Sequence, residues 1–224
     1  MRAIGLDGFS KGWVAVVIDG DVRAISFHAD VADALRGPFD RAGIDIPIGM
    51  TEDGGRDCDL LARAALKPHA SRVFTGARRW LWQEFDDPDK ANEEAVRRNQ
   101  KRVSRQLWHL GPKIMEVDAF LRARPLIEVC EVHPELVFLR LNGSKPLPAK
   151  KSEEGDALRR RLLKREGFRD IDRWLEETRI GTGAKRDDVL DACAVAIAAR
   201  DPAGSLPEGS PPLDKYGLPM RIWF

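Results

Sequence analysis

The chain has 224 residues, with 43% hydrophobic and 33% charged, and 37 Lys plus Arg against 36 Asp plus Glu. That length suffices for one large domain or two small ones with a real core. The net charge of +1 excludes a global pull toward nucleic acid or membrane, so any such binding must come from local patches.

Residues 2–7 form an apolar run that reads as a first strand, and residues 8–12 supply a turn. Residues 13–18 are rich in β-branched side chains and read as a second strand. Asp19-Gly20 is a hairpin turn signal, and residues 22–28 alternate well enough for a third strand. Asp30 can cap a short helix running to residue 35. Residues 44–48 form a short, continuously apolar fourth strand of the kind covered on both faces. Residues 52–122 are rich in Arg, Glu and Ala with helical periodicity and read as a helical insertion on the sheet. Their clearest helices are 91–103 and 113–121, with Pro112 in the first turn of the second. Residues 126–132 are a fifth strand, ended by His133-Pro134 because proline cannot donate to the ladder. Helices follow at 153–165, 171–178 and 187–200. The tail 201–219 is loop-like, and 220–224 can add a short strand.

A meander followed by alternating strands and helices predicts a mixed sheet with helices on both faces. The cysteines, Cys58, Cys130 and Cys193, lack the spacing of a zinc or redox motif. No signal peptide is visible and no apolar run reaches the length of a spanning helix. A reducing cytoplasm is the expected location.

Several acids stand where burial makes them costly. Asp7 interrupts the first strand, Asp45 lies between isoleucines in the fourth, and Glu131 lies in the fifth. Glu131 and Glu128 face opposite sides of that strand, so one of them is expected in solvent. Asp187, Asp188 and Asp191 open the last helix, where a three- or four-residue spacing lets two carboxylates meet at one point. Asp187 reads as the cap of that helix. Two carboxylates ~5 Å apart repel by roughly 3 kcal/mol at an effective dielectric of ~20. A shared divalent cation resolves the conflict, and all-oxygen ligands favour Mg²⁺ or Mn²⁺.

The segments Gly5-Leu6-Asp7-Gly8, Gly12-Trp13-Val14-Ala15-Val16, Ile44-Asp45-Ile46-Pro47-Ile48-Gly49 and Arg56-Asp57-Cys58-Asp59 form an ordered series. It continues with Lys113-Ile114-Met115-Glu116-Val117-Asp118, Glu131-Val132-His133-Pro134-Glu135, Lys150-Lys151 with Gly155, and Asp187-Asp188-Val189-Leu190-Asp191-Ala192. Together they resemble domain of unknown function family 429, whose members are described as predicted RNase H-like nucleases. The resemblance runs from Gly5 to Met220. It implies an RNase H-like fold, a five-stranded mixed sheet with helices on both sides, here a single domain with the helical insertion between strands 4 and 5. It also implies an acidic site in which Asp7, Asp45, Asp188 and Asp191 hold metal, with Glu131 as an additional catalytic acid. The chain departs from the family in Phe9-Ser10-Lys11 after the first strand and in Val73-Phe74-Thr75-Gly76-Ala77-Arg78, which lacks the expected prolines.

The basic residues Arg97, Arg98, Lys101, Arg102 and Arg105 lie close together, and 98, 101, 102 and 105 would share one helix face. Such a face can track a phosphate backbone, with Trp108 stacking on a base; the alternative is a solvated helix face, with the tryptophans in the core. Lys113, His133, Lys151, Arg98 and Arg102 are the candidate substrate contacts, and Lys150 and Arg159 can also meet phosphate. The leading expectation is a metal-dependent phosphodiesterase that cleaves DNA or RNA, or a nucleotide, at a two-metal-type acidic site, in which paired ions about 4 Å apart activate water and stabilise the leaving oxygen. Two alternatives are a non-catalytic nucleic-acid or nucleotide-binding protein that retains the fold, and an actin-like phosphotransferase. The last ordinarily needs a second half that this chain is too short to contain.

Overall fold

The computed structural model describes residues 1–124, 126–178 and 182–224. In chain order the elements are β1 (Arg2–Phe9), β2 (Gly12–Asp19), β3 (Val22–His28), α1 (Val31–Ala34) and β4 (Arg41–Ile44), then the helices α2 (Asp57–Ala65), α3 (Arg79–Gln83), α4 (Pro88–Arg97) and α5 (Arg105–Arg122). They continue with β5 (Val129–Val132), α6 (Pro134–Leu141), α7 (Glu153–Arg165), α8 (Ile171–Thr178), α9 (Arg186–Arg200), β6 (Ser205–Leu206) and β7 (Ile222–Trp223). The chain divides into two compact units. One comprises Met1–Ile46, Ile127–Ser205 and Trp223–Phe224, and the other Pro47–Leu126 and Leu206–Ile222.

The fold is mixed α/β. Among the described residues the sheet has seven strands in the order β3-β2-β1-β4-β5-β7-β6, where five were expected. The two extra strands come from the tail, which the sequence presents as a loop followed by one short strand. Main-chain bonds explain them: the Phe224 amide donates to the Gly204 carbonyl at 3.1 Å, and the His133 amide donates to Trp223 at 3.4 Å. The β1–β2 and β2–β3 pairs are antiparallel, while β1–β4 and β4–β5 are parallel. Both hairpin turns and the Asp30 cap fall where the sequence puts them, with Asp30 Oδ1 accepting from the Asp33 amide at 2.7 Å.

Helix α9 is the centre of the first unit. Its residues from Val189 to Ala199 are all buried, and it packs against β1, β2, β4 and β5 on one side and α6, α7 and α8 on the other. Burying each large aliphatic side chain, such as Val189, Leu190 or Ile197, contributes about 1.5–3 kcal/mol. At Gly5 the contact of α9 with the sheet is main chain on main chain, and at Gly43 a valine side chain fills the space. A Cβ on Gly5 would stand 2.2 Å from the Ala196 nitrogen, and one on Gly43 would stand 2.8 Å from Val195 Cγ1. Glycine inside a strand marks this kind of close backbone approach.

Two expectations for the second unit need correction, and the core reading of its tryptophans holds. Helix α4 stops at Arg97, and Asn99 takes a left-handed φ of 56°, so residues 101–104 are loop. Arg98, Lys101, Arg102 and Arg105 therefore share no helix face. Trp108 is buried against Trp82, with ring centroids 6.2 Å apart, and is a core residue. Pro112 lies inside α5, not in its first turn. Its missing N–H would leave the Trp108 carbonyl four residues earlier without a helical donor. The Trp82 indole takes that role, donating Nε1–H to Trp108 O at 3.1 Å. Gly111 makes room for it, since a Cβ there would lie 1.9 Å from Trp82 Nε1. Buried arginine pairs brace the rest of this unit: Arg56 with Asp59, and Arg79 with both Asp118 and Asp214.

Candidate metal centre

Strand β4 ends at Ile44, earlier than expected, which places Asp45 just past its C-terminal end. The Asp45 amide still donates to the Leu6 carbonyl at 3.0 Å, holding that residue beside β1. Asp7 points to the same face of β1 as Gly5, the face on which α9 lies, because alternate strand residues share a side. Asp191 opens the second turn of α9, one residue before the Ala192 carbonyl that presses on Gly5. Main-chain contact thus sets the distance between Asp7 and Asp191. One carboxylate oxygen from each of Asp7, Asp45 and Asp191 lies within 4.8 Å of the others.

Each of these acids is out of its ordinary range. Burial, then Asp45, Asp191 and Asp188 as like charges, pushes the Asp7 carboxyl well above the usual carboxylate pKa. Burial and the Asp191 charge do the same to Asp45. Asp191 is raised by burial to about 6, with Lys150 opposing the shift. Asp7 Oδ1 accepts from the Gly8 amide at 2.8 Å. Asp191 Oδ2 accepts from Lys150 Nζ at 2.7 Å, while its Oδ1 is buried with no hydrogen-bond partner among the described residues. A buried, unsatisfied carboxylate oxygen is a strongly disfavoured arrangement unless something positive meets it. Three hard oxygen donors with one orphaned lone-pair face fit an Mg²⁺- or Mn²⁺-sized ion.

The other acids on α9 have separate roles. Asp188 reaches back to accept from the Lys185 amide at 2.7 Å. That makes Asp188, and not Asp187, the side chain that secures the start of the helix, because α9 begins one residue earlier than expected, at Arg186. Asp187 lies 3.5 Å from Lys150 Nζ. Glu131 is buried on β5 in register with Ile44, within electrostatic reach of Asp45 but outside the triad, and Glu128 is exposed.

Lys150 is a partner that sequence spacing does not disclose, since it meets Asp191 across 41 residues. Burial works to lower its pKa, yet Asp191, Asp187 and Asp7 raise it above the ordinary lysine range. A glycine again sets the position. The Ala149 carbonyl lies 2.0 Å from where a Cβ on Gly155 would stand, so the loop carrying Lys150 presses directly on the first turn of α7. An open cleft of about 410 Å³ adjoins, lined by Lys150, Lys151, Asp156, Lys185, Arg186 and Asp187 among others.

The remaining basic candidates are distributed differently. Lys151 is exposed on the cleft wall, and His133 is the residue before α6. Arg159 is fully buried and forms a bidentate pair with Glu135 at 2.7 and 2.9 Å, so it does not present itself to phosphate. Arg98, Arg102 and Lys113 belong to the second unit. Arg98 is paired with Glu84 and Glu94 and stacks over Trp80 at 4.1 Å, Lys113 lies 3.7 Å from Glu116, and Arg102 is exposed.

The fold and site define a mixed α/β protein that carries a compact acidic triad suited to a divalent cation. No helix among the described residues is long and apolar enough to cross a membrane. The chain belongs to the family described as "Protein of unknown function (DUF429)", whose model matches residues 5–211. Searches of curated proteins and of solved structures found no match.

Proposed function

We propose that this protein is a divalent-metal-dependent phosphodiesterase with an RNase H-like fold, acting on nucleic acid or a nucleotide. The observation that carries this reading is the convergence of one carboxylate oxygen each from Asp7, Asp45 and Asp191 within 4.8 Å, from β1, the end of the adjacent parallel strand β4 and one helix. The core order β3-β2-β1-β4-β5, with β2 antiparallel to its neighbours, supports the RNase H-like assignment. Residues 52–122 are then a helical insertion between β4 and β5 in a single domain. When bound, an Mg²⁺ or Mn²⁺ ion supplies Lewis-acid chemistry, polarising a phosphoryl oxygen and acidifying water.

The protein's own groups do the rest. Asp7, Asp45 and Asp191 hold the cation, and the Gly8 amide orients Asp7. Lys150 sets a positive charge beside the triad, where negative charge builds up on a phosphodiester in the transition state. Lys151 and Lys185, on the wall of the cleft, offer further cations to a substrate phosphate. Glu131 shapes the field at Asp45.

The test is hydrolysis of single- and double-stranded DNA, RNA and a small phosphodiester by the purified protein in Mn²⁺ or Mg²⁺, compared with Asp7→Asn. Metal-dependent cleavage lost in that variant supports the reading. Cleavage undiminished by Asp7→Asn removes the site assignment. Metal binding without cleavage of any of these substrates favours a binding protein that retains the fold.

A further inference from the structure

We infer that the triad takes one divalent cation and not two, because the Lys150 ammonium stands in the position of the second. This inference rests on the metal reading above and extends it to the stoichiometry and charge of the site.

Sites that hold two ions place them about 3.5–4 Å apart and share a carboxylate between them. Asp191 is the carboxylate placed to be shared here. Its Oδ2 is committed to Lys150 Nζ at 2.7 Å, and its Oδ1 is buried and has no hydrogen-bond partner among the described residues. One face of Asp191 therefore meets a cation the chain supplies, and the other meets whatever the triad collects. Asp187 holds the same ammonium from its second side at 3.5 Å.

The triad's own charge is met by the same count. The three triad carboxylates carry three negative charges when ionised, and one divalent ion and one ammonium balance them. Asp187, Asp188 and Glu131 add negative charge around the site, so the count rests on the contact of Lys150 with Asp191 and not on total charge. The ammonium is also built in. The backbone beside it is held through Ala149 against the first turn of α7, where Gly155 admits the loop at a distance no side chain would allow, and Asp191 and Asp187 hold the ammonium itself. A lysine fixed in this way supplies a permanent charge that needs no second metal to be recruited.

The experiment is Mn²⁺ titration of the full chain by calorimetry, with electron paramagnetic resonance of the loaded protein, on wild type and Lys150→Met. Wild type should bind one Mn²⁺ per chain and give the signal of an isolated ion. Lys150→Met should bind the first ion about tenfold more tightly or better, through loss of a competing charge, and should accept a second ion with a spin-coupled signal. Two ions of comparable affinity in wild type would overturn the inference while leaving the metal reading intact. No Mn²⁺ binding in wild type would overturn both. If Lys150→Met fails to fold, as judged by circular dichroism, the wild-type stoichiometry still decides. Unchanged stoichiometry and affinity in a folded Lys150→Met would also overturn it.

Discussion

Gly5 on β1 and Gly43 on β4 are register partners across a parallel pair, and α9 lies against both. Neither position has space for a side chain. Their shared purpose is to let a helix approach the sheet closely enough for Asp191 to meet Asp7 and Asp45. Gly5→Ala would place a methyl group 2.2 Å from the Ala196 nitrogen and 2.3 Å from the Ala192 carbonyl. Because both are backbone atoms, no rotamer change relieves the clash. The expected loss is about 3 kcal/mol, the upper end of overpacking costs, read from urea denaturation. Mn²⁺ affinity should fall with it as α9 is pushed away.

Asp7→Asn should have opposite effects on metal binding and on stability. The buried Asp7 carboxylate is opposed by Asp45, Asp191 and Asp188, so neutralising it relieves repulsion. The amide oxygen can still accept from the Gly8 amide. At neutral pH and without metal, the variant should be more stable than wild type by roughly 1–3 kcal/mol. Calorimetry should at the same time register lost Mn²⁺ binding. A destabilised variant would show that repulsion within the triad is not the dominant cost.

The pH dependence follows from the sign of the shifts. Asp7, Asp45 and Asp191 are all raised on folding, so the folded state binds their protons more tightly than the unfolded state does. Their stabilising contribution is complete below the ordinary aspartate range. It declines as pH rises from there through the Asp191 value of about 6, and further as Asp7 and Asp45 ionise. Metal-free wild type should therefore lose stability relative to Asp7→Asn over that interval. Mn²⁺ should reverse the loss, and its binding should release protons, seen as an enthalpy that varies with the buffer's ionisation heat.

Arg159 and Glu135 form a fully buried pair beside the triad. Arg159→Met should cost about 3–5 kcal/mol, because it removes the guanidinium that a buried carboxylate is paired with. The double variant Arg159→Met/Glu135→Leu should recover most of that loss. Chemical denaturation of the two variants distinguishes a broken ion pair from lost packing, which the double variant would not repair.

The acids were legible from sequence because a carboxylate in an apolar run violates the ordinary pattern, and Asp7, Asp45 and Asp191 do meet. The β1–β2–β3 meander was legible from its turn residues. Four features were not. Lys150 and Asp191, or Glu135 and Arg159, are paired by tertiary contact, and nothing in either local sequence encodes the partner. The role of Asp188 depended on where α9 starts, and a one-residue shift moved that role from Asp187. The basic run from Arg97 to Arg105 looked continuous in composition, but the backbone reverses at Asn99, and composition does not register a single left-handed residue. Helix α6 was hidden behind the proline that ends β5, which begins the helix as well.

The place of α9 in the chain has a consequence for synthesis. The sheet strands β1, β2 and β4 are complete by residue 44, yet the helix that covers their face is not made until residues 186–200. About 140 residues must follow β4 before the helix that packs on it exists, so the first unit is dominated by contacts distant in sequence and should fold slowly. A nascent chain stalled before residue 186 would expose an apolar sheet face, and that interval is where a chaperone would act.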